Sequence, residues 1–434
     1  MSPIKRTAAQ LRCPTALLAA LVAALLLAVP AGASVVVKRI VGVRATSISA
    51  SDGDTCASLS NRSVDCWGQS YLPKETSGVP ERVPGVSGAT AVQASIRYNC
   101  ALLHGGRIEC WGDDGYGQLG NGKTQDSVAP VKVRGIANAT AISAGGYHAC
   151  ALLATGSVYC WGRNVRGALG DGSLADSSLP VPVHGITNAA AISAGYIDDE
   201  TCAVLKTGAV DCWGANSFGQ LGDGNTKDSS TPVRVIGLST AVAVAAAGGH
   251  ACAVLRSGEI ECWGENREGQ LGNGTRETTL VPVPVTGISD GVAIAVDPRG
   301  YSCAVRHSGS VYCWGHNPYD QLGNGRQPEG SLVPVEVLDV SGAVSVTTGY
   351  THACALLSTG GADCWGHDGY GQLGTHAGPG DFNAMPVLFG ESPRERARSH
   401  GPHAFEGPAR ARGRHQPANR MARLSRPRRS TTSD

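Results

Sequence analysis

Seven times along the chain, short apolar runs alternate with turn-forming clusters, and the runs recur in a fixed order. One unit begins at Pro180. Val181-Pro182-Val183 is a short extended segment that its prolines confine to a sheet edge. Ala190-Ala191-Ile192-Ser193-Ala194 is apolar and small, suited to a strand lying close to other backbone. Cys202 to Leu205 gives a third strand and Ala209 to Trp213 a fourth, joined by Lys206-Thr207-Gly208. A three-residue hairpin loop needs a left-handed last residue, and Gly recurs there as Gly156, Gly208, Gly258, Gly309 and Gly360, with Gly106 in the second unit. No helical period separates these runs. Four short strands per repeat predict an all-β fold, a seven-bladed β-propeller of about 51-residue four-stranded repeats.

The count of seven is anchored by Cys-Trp-Gly, which starts at Cys66, Cys110, Cys160, Cys212, Cys262, Cys313 and Cys364 and contains all seven tryptophans. Each of these cysteines has another ten residues earlier: Cys56, Cys100, Cys150, Cys202, Cys252, Cys303 and Cys354. In a hairpin centred on Thr207, positions 202 and 212 fall opposite each other, within disulfide range. Seven disulfides are therefore expected, one inside each blade, each stabilising by about 2.5–3 kcal/mol on the chain-entropy scale. The alternative is seven pairs of reduced cysteines packed as small hydrophobes. Zinc fits less well, because the pairs lack a close Cys-x-x-Cys knuckle.

The chain ends differ from this middle. Lys5, Arg6 and Arg12 precede an uncharged Ala/Leu/Val run from Ala16 to Val29, then Pro30 and Ala31-Gly32-Ala33. This is a secretory signal pattern with cleavage expected after Ala33. The run is short of the roughly 20 residues a membrane span requires, and no later segment reaches that length. Cleavage would leave no transmembrane segment. It would also remove Cys13, leaving an even fourteen cysteines in an exported chain, which favours disulfides over free thiols. Residues 390–434 carry 11 Arg, no Lys and 4 acidic residues without any strand or helix period, and are expected to form a disordered Arg-rich tail. Three segments result: a signal peptide at 1–33, a propeller at 34–389 and the tail at 390–434. The formal charge of +1 hides a propeller with 22 basic and 31 acidic residues, which argues against nucleic acid as its partner.

Trp161-Gly-Arg-Asn164 followed by Gly167-Ala-Leu-Gly170, and Trp213-Gly-Ala-Asn216 followed by Gly219-Gln-Leu-Gly222, recur after Trp111, Trp263, Trp314 and Trp365. This pattern resembles the regulator of chromosome condensation repeat family, here as an exported, Cys-rich variant. The resemblance implies a seven-bladed propeller, in agreement with the count of repeats. The first unit departs from it, since Gln69-Ser-Tyr-Leu-Pro73 follows Trp67-Gly68 without Gly-Gln-Leu-Gly. Pro386-Val-Leu388 at one end, or Val35-Val-Val37 at the other, is expected to complete the blade holding Trp67 and close the ring.

Searches for catalytic motifs come up empty: there is no Gly-x-Ser-x-Gly, no His-Glu-x-x-His and no phosphate-cradling Gly-x-x-x-x-Gly-Lys-Ser/Thr. No cofactor is expected, and the acidic runs Asp52-Gly-Asp54 and Asp198-Asp199-Glu200 are incomplete as calcium ligand sets. His148, His250 and His352 stand two residues before a Cys, and such repetition suits buried hydrogen-bonding residues. Recognition residues are expected where repeats differ, just before the Cys-bearing strand: Arg97, Tyr98, Tyr196, Arg299 and Tyr301 as contacts, with Asp198 and Asp199 steering a basic partner. The other available surface is the rim bearing the Gly-Gln-Leu-Gly turns, expected on the opposite side. The expected function is an exported, monomeric, non-enzymatic scaffold that binds another protein through one face, in an inhibitor or adhesion role outside the cytoplasm. The resemblance implies an alternative, guanine-nucleotide exchange on a small GTPase, which the export signal opposes.

Overall fold

The computed structural model describes residues 43–69, 77–197, 199–326, 328–375 and 384–389. The signal segment, Val35–Val37, Asp198 and the Arg-rich tail lie outside the described residues. Every element described is a strand. Seven four-stranded antiparallel sheets stand in a ring, each made from one contiguous stretch with its strands in chain order. Blade four shows the plan: Ala189–Ala194, Glu200–Leu205, Val210–Gly214 and Ser229–Arg234. Its first strand lines the central channel, because only a small-residue strand fits where seven sheets converge. Its last strand, with Pro232, is the outer edge, where a missing N–H costs least, and the Pro180-Val-Pro182 segment is the outer strand of the preceding blade.

Among the described residues no strand is exchanged at ring closure, against expectation. The blade holding Trp67 has its own outer strand, Ser77–Arg82, and Met385–Pro386 completes the blade holding Trp365. The first and last blades are instead joined as neighbours are elsewhere. Trp67 Nε1 donates to Gln372 O at 2.9 Å, and Ala50 N–H donates to Thr347 Oγ1 at 3.0 Å. Val43 and Phe389 pack against the same apolar cluster as Trp67.

All seven cysteine pairs are bonded within their blades, from Cys56–Cys66 to Cys354–Cys364, with Cα atoms 4.0–4.1 Å apart. In register they face each other directly, as Cys202 faces Cys212. Each tryptophan is buried at a seam between blades. Six of the seven donate Nε1–H to a carbonyl in the preceding blade's Gly-Gln-Leu-Gly turn, as Trp213 does to Ala168 O at 2.8 Å. The final Gly of that turn has two reasons to be Gly: Gly170 has φ +65°, and a Cβ there would lie 2.7 Å from Trp213 Nε1. Trp111 makes no such bond among the described residues, and the blade before it is the one that lacks the turn.

Candidate functional site

Where each inner strand turns into the second strand, seven loops meet around one mouth of the channel. The channel encloses about 300 Å³ and is lined by Ala, Ser, Thr and Ile of the inner strands. Hydroxyls there bridge neighbouring blades: Ala94 N–H donates to Ser49 Oγ at 3.0 Å and Ala194 N–H to Ser143 Oγ at 2.9 Å. These bonds satisfy donors on the inner edges that no further strand covers.

Below the loops lies a ring of buried polar and aromatic side chains, one at the start of each second strand: Asp54, Tyr98, His148, Glu200, His250, Tyr301 and His352. Two kinds of seam alternate around it. At the first kind, a polar group passes a hydrogen bond to the next blade. His148 Nε2 pairs with Thr201 Oγ1 at 2.9 Å, and Thr201 donates to Ala168 O, the carbonyl that also receives Trp213. His250 with Ser302 and His352 with Thr55 repeat the arrangement, and Asp54 stands beside Ser51 and Asn99. At the second kind, Tyr98, Glu200 and Tyr301 precede blades whose equivalent residues are Ala149, Ala251 and Ala353. Burial keeps the three histidines neutral, lowering His148 to about 4 and His250 and His352 to about 3. Burial pushes Asp54 the other way, to about 7.

This ring removes two of the expected contact residues from the surface. Tyr98 is fully buried and its hydroxyl donates to Gly145 O at 2.8 Å and His148 O at 2.6 Å. Tyr301 is its counterpart, donating to Gly349 O at 2.5 Å and His352 O at 2.7 Å. Both are seam residues, because a side chain starting the second strand points between blades. Asp199 is buried as well, ion-paired with Arg163 at 3.2 Å, so it cannot steer a partner from the surface.

Tyr196 and Arg299 meet at the mouth through Tyr350, and Arg97 stands on the same face near enough for Asp52 to feel its charge. Tyr196 reaches across the ring from blade four, and its hydroxyl accepts Asp52 N–H of blade one at 2.7 Å. Its ring meets Tyr350 edge to face at 5.3 Å, and the Arg299 guanidinium lies 4.7 Å from the Tyr350 ring centre. Asp297 is buried beneath and accepts Arg299 N–H at 2.8 Å; burial holds its carboxyl well above the usual range. Arg97 is exposed, 3.7 Å from Asp113. The Gly-Gln-Leu-Gly turns lie on this same face, not the opposite rim. Asp113 N–H donates to Arg97 O, and Tyr116 packs edge to face on Tyr147 with Arg163 5.5 Å from each ring. Loop and turn share a face because the third strand runs antiparallel to the second and ends where the second begins. Among the described residues no three His, Cys, Asp or Glu side chains converge as a metal site.

The family model described as the RCC1-like domain matches residues 137–410, and that of the regulator of chromosome condensation (RCC1) repeat matches 106–152. The ultraviolet-B receptor UVR8 of Arabidopsis thaliana is 34% identical over 197 residues, 44% of this chain and 44% of that protein. The probable E3 ubiquitin-protein ligase HERC6 of Homo sapiens is 34% identical over 76 residues, 17% of this chain and 7% of that protein. The chain thus spans less than half the length of either relative. Among solved structures, human WBSCR16 superposes with TM-score 0.65 at 20% identity, covering 73% of this chain and 86% of that one. Yeast RCC1 (Prp20), solved with Kap60 bound, gives 0.62 at 19% identity, covering 70% and 77%. At these identities the two structures speak for the fold alone.

Proposed function

The chain belongs to the RCC1-like domain family, and from that premise we propose that it is an exported, non-enzymatic propeller that binds another protein through the face at the channel mouth. Family membership does not choose among functions, since its relatives range from a light receptor to ligases. One observation carries the reading: the repeats agree on packing residues and differ in one ring of loops, which brings Arg97, Tyr196, Arg299 and Tyr350 to a common surface. A side chain that solves a packing problem recurs in every blade, whereas one that recognises a partner has no reason to recur. Seven bonded cysteine pairs suit an oxidising compartment and a scaffold rigid enough to hold loops in place. The exchange-factor alternative gains no specific support, because the likeness to Prp20 is one of fold.

The test is photo-crosslinking of the exported protein with the reactive residue placed at Arg97, at Arg299 or at Lys206. Lys206 sits in the hairpin turn at the far end of the blades. The reading expects one protein partner captured from the first two sites and none from the third. Capture from Lys206 alone would refute it. N-terminal sequencing of the mature protein should start at or near Ser34.

A further inference from the structure

We infer that the channel mouth takes an acidic peptide segment, a carboxylate-bearing stretch of the partner, with Arg97 and Arg299 as its anchors. This rests on the contact face proposed above and names its partner's chemistry.

The inference follows from how the ionisable groups of the inner loops are layered. Among the described residues of those loops, carboxylates sit low and guanidinium groups stand high. Asp297 and Asp199 are 1% and 3% exposed, and both are held by partners in the protein. Asp52 is half-buried, with its N–H given to Tyr196. Arg97 and Arg299 are exposed, in blades two and six, and Asp52 of blade one feels both charges. The loop surface is therefore more positive than its composition, in which Asp outnumbers Arg. Burial raises Asp52, which the Arg299 and Arg97 charges lower in turn, and holds Asp297 well above its ordinary value.

The two cations are also pre-positioned. Arg299 rests on the Tyr350 ring, and Arg97 is ion-paired with Asp113 at 3.7 Å, a partner that an incoming carboxylate would share. A guanidinium ordered before binding loses less entropy when a carboxylate takes its fork of N–H donors. Tyr196 and Tyr350, edge to face, supply a rigid apolar platform beside Arg299. A long polyanion is disfavoured because the whole propeller is net acidic. A short acidic segment senses mainly the mouth, since charges beyond a Debye length of roughly 8–10 Å are screened.

The experiment measures fluorescence anisotropy of a labelled peptide of alternating Glu and Gly with the full exported chain, beside the same peptide carrying Gln or Lys for Glu. The Glu peptide should bind at least about tenfold more tightly than either. The double variant Arg97→Gln/Arg299→Gln should lose about tenfold or more. Arg299→Lys should fall between, keeping charge but losing the fork. Lys206→Gln/Arg256→Gln, the same charge change on the far hairpins, should bind as the parent does. Unchanged melting curves show that the variants fold. Preference for the Lys peptide, no binding of the Glu peptide, or equal loss in the far-hairpin variant would overturn the inference. A partner crosslinked at Arg97 or Arg299 through a segment without Asp or Glu would overturn it while sparing the contact face. Crosslinking at Lys206 alone would remove both.

Discussion

At the scale of single residues, the places where one blade departs from its sisters are where the structure can be improved. Six hairpins put Gly at the left-handed turn position, but the first has Arg62 there at φ 65°. Asn61 Oδ1 holds that turn by accepting the N–H and hydroxyl of Ser63. Arg62→Gly should therefore raise stability by about 0.5–1 kcal/mol, read as a higher urea midpoint with unchanged slope. A second departure is Asp114. Asn164, Asn216, Asn266 and Asn317 each accept a backbone N–H and donate Nδ2 to loop carbonyls. Asp114 accepts from Leu119 at 2.9 Å but, ionised, donates nothing. Burial raises its carboxyl to about 6, so the folded state favours the proton and stability falls as pH rises from about 4 to 6. Asp114→Asn should gain about 1 kcal/mol above pH 6, with the gain vanishing toward pH 4 in paired urea titrations. Both departures are legible in the sequence as breaks in the repeat. What the sequence does not reveal is which differing residue turns inward. Tyr98 and Arg97 are neighbours, and only strand register sends one between blades and the other to solvent.

At the scale of elements, the hairpin and its cysteines were readable because both are local, set by a ten-residue spacing and a Gly. The relay from histidine to hydroxyl to carbonyl was not, since it joins residues about fifty apart and passes through a backbone oxygen that leaves no mark in the sequence. Each histidine in it lowers the stability of the ring in acid. Above pH 6.5 the three histidines are neutral whether folded or not. As pH falls, the unfolded chain takes up protons that the folded chain refuses until about 4 or below. Each histidine should cost roughly 1.4 kcal/mol per pH unit over that window, and the carboxyls raised by burial, Asp54 to about 7 and Asp114 and Asp368 to about 6, work in the opposite direction. His250→Gln keeps a donor for Ser302 and cannot titrate. It should cost about 1–2 kcal/mol at pH 7.5 and close that gap, or invert it, by pH 4.5. Chemical denaturation at the two pH values decides this, and parallel curves would show that burial of His250 is not what governs acid stability.

At the scale of the whole molecule, blade number and order followed from the repeat, but the manner of closure did not, because matching end segments permit strand exchange without requiring it. With every blade contiguous and the last seam built like the others, the ring has no privileged starting point. A permutant that joins Phe389 to Val43 and opens at Gly185, in the turn leading from blade three to blade four, should fold to the same ring, with unfolding cooperativity and disulfide pairing retained. Loss of either would show that the termini are doing structural work beyond the described seam. The alternation of seams imposes a constraint of a different sort, one of parity. Tyr98-Asn99, Glu200-Thr201 and Tyr301-Ser302 take turns with His148-Ala149, His250-Ala251 and His352-Ala353, so the matching unit is two blades long. Seven is odd, and a two-state alternation cannot close on itself around an odd ring. One blade has to answer to both neighbours at once, and it is the first, where Thr55 receives His352 while Asp54 faces Asn99. The carboxyl that burial drives up to about 7 stands at that mismatch. A ring enlarged by copying two blades would inherit the same single fault, whereas adding or deleting one blade would give an even ring in which the fault could be erased.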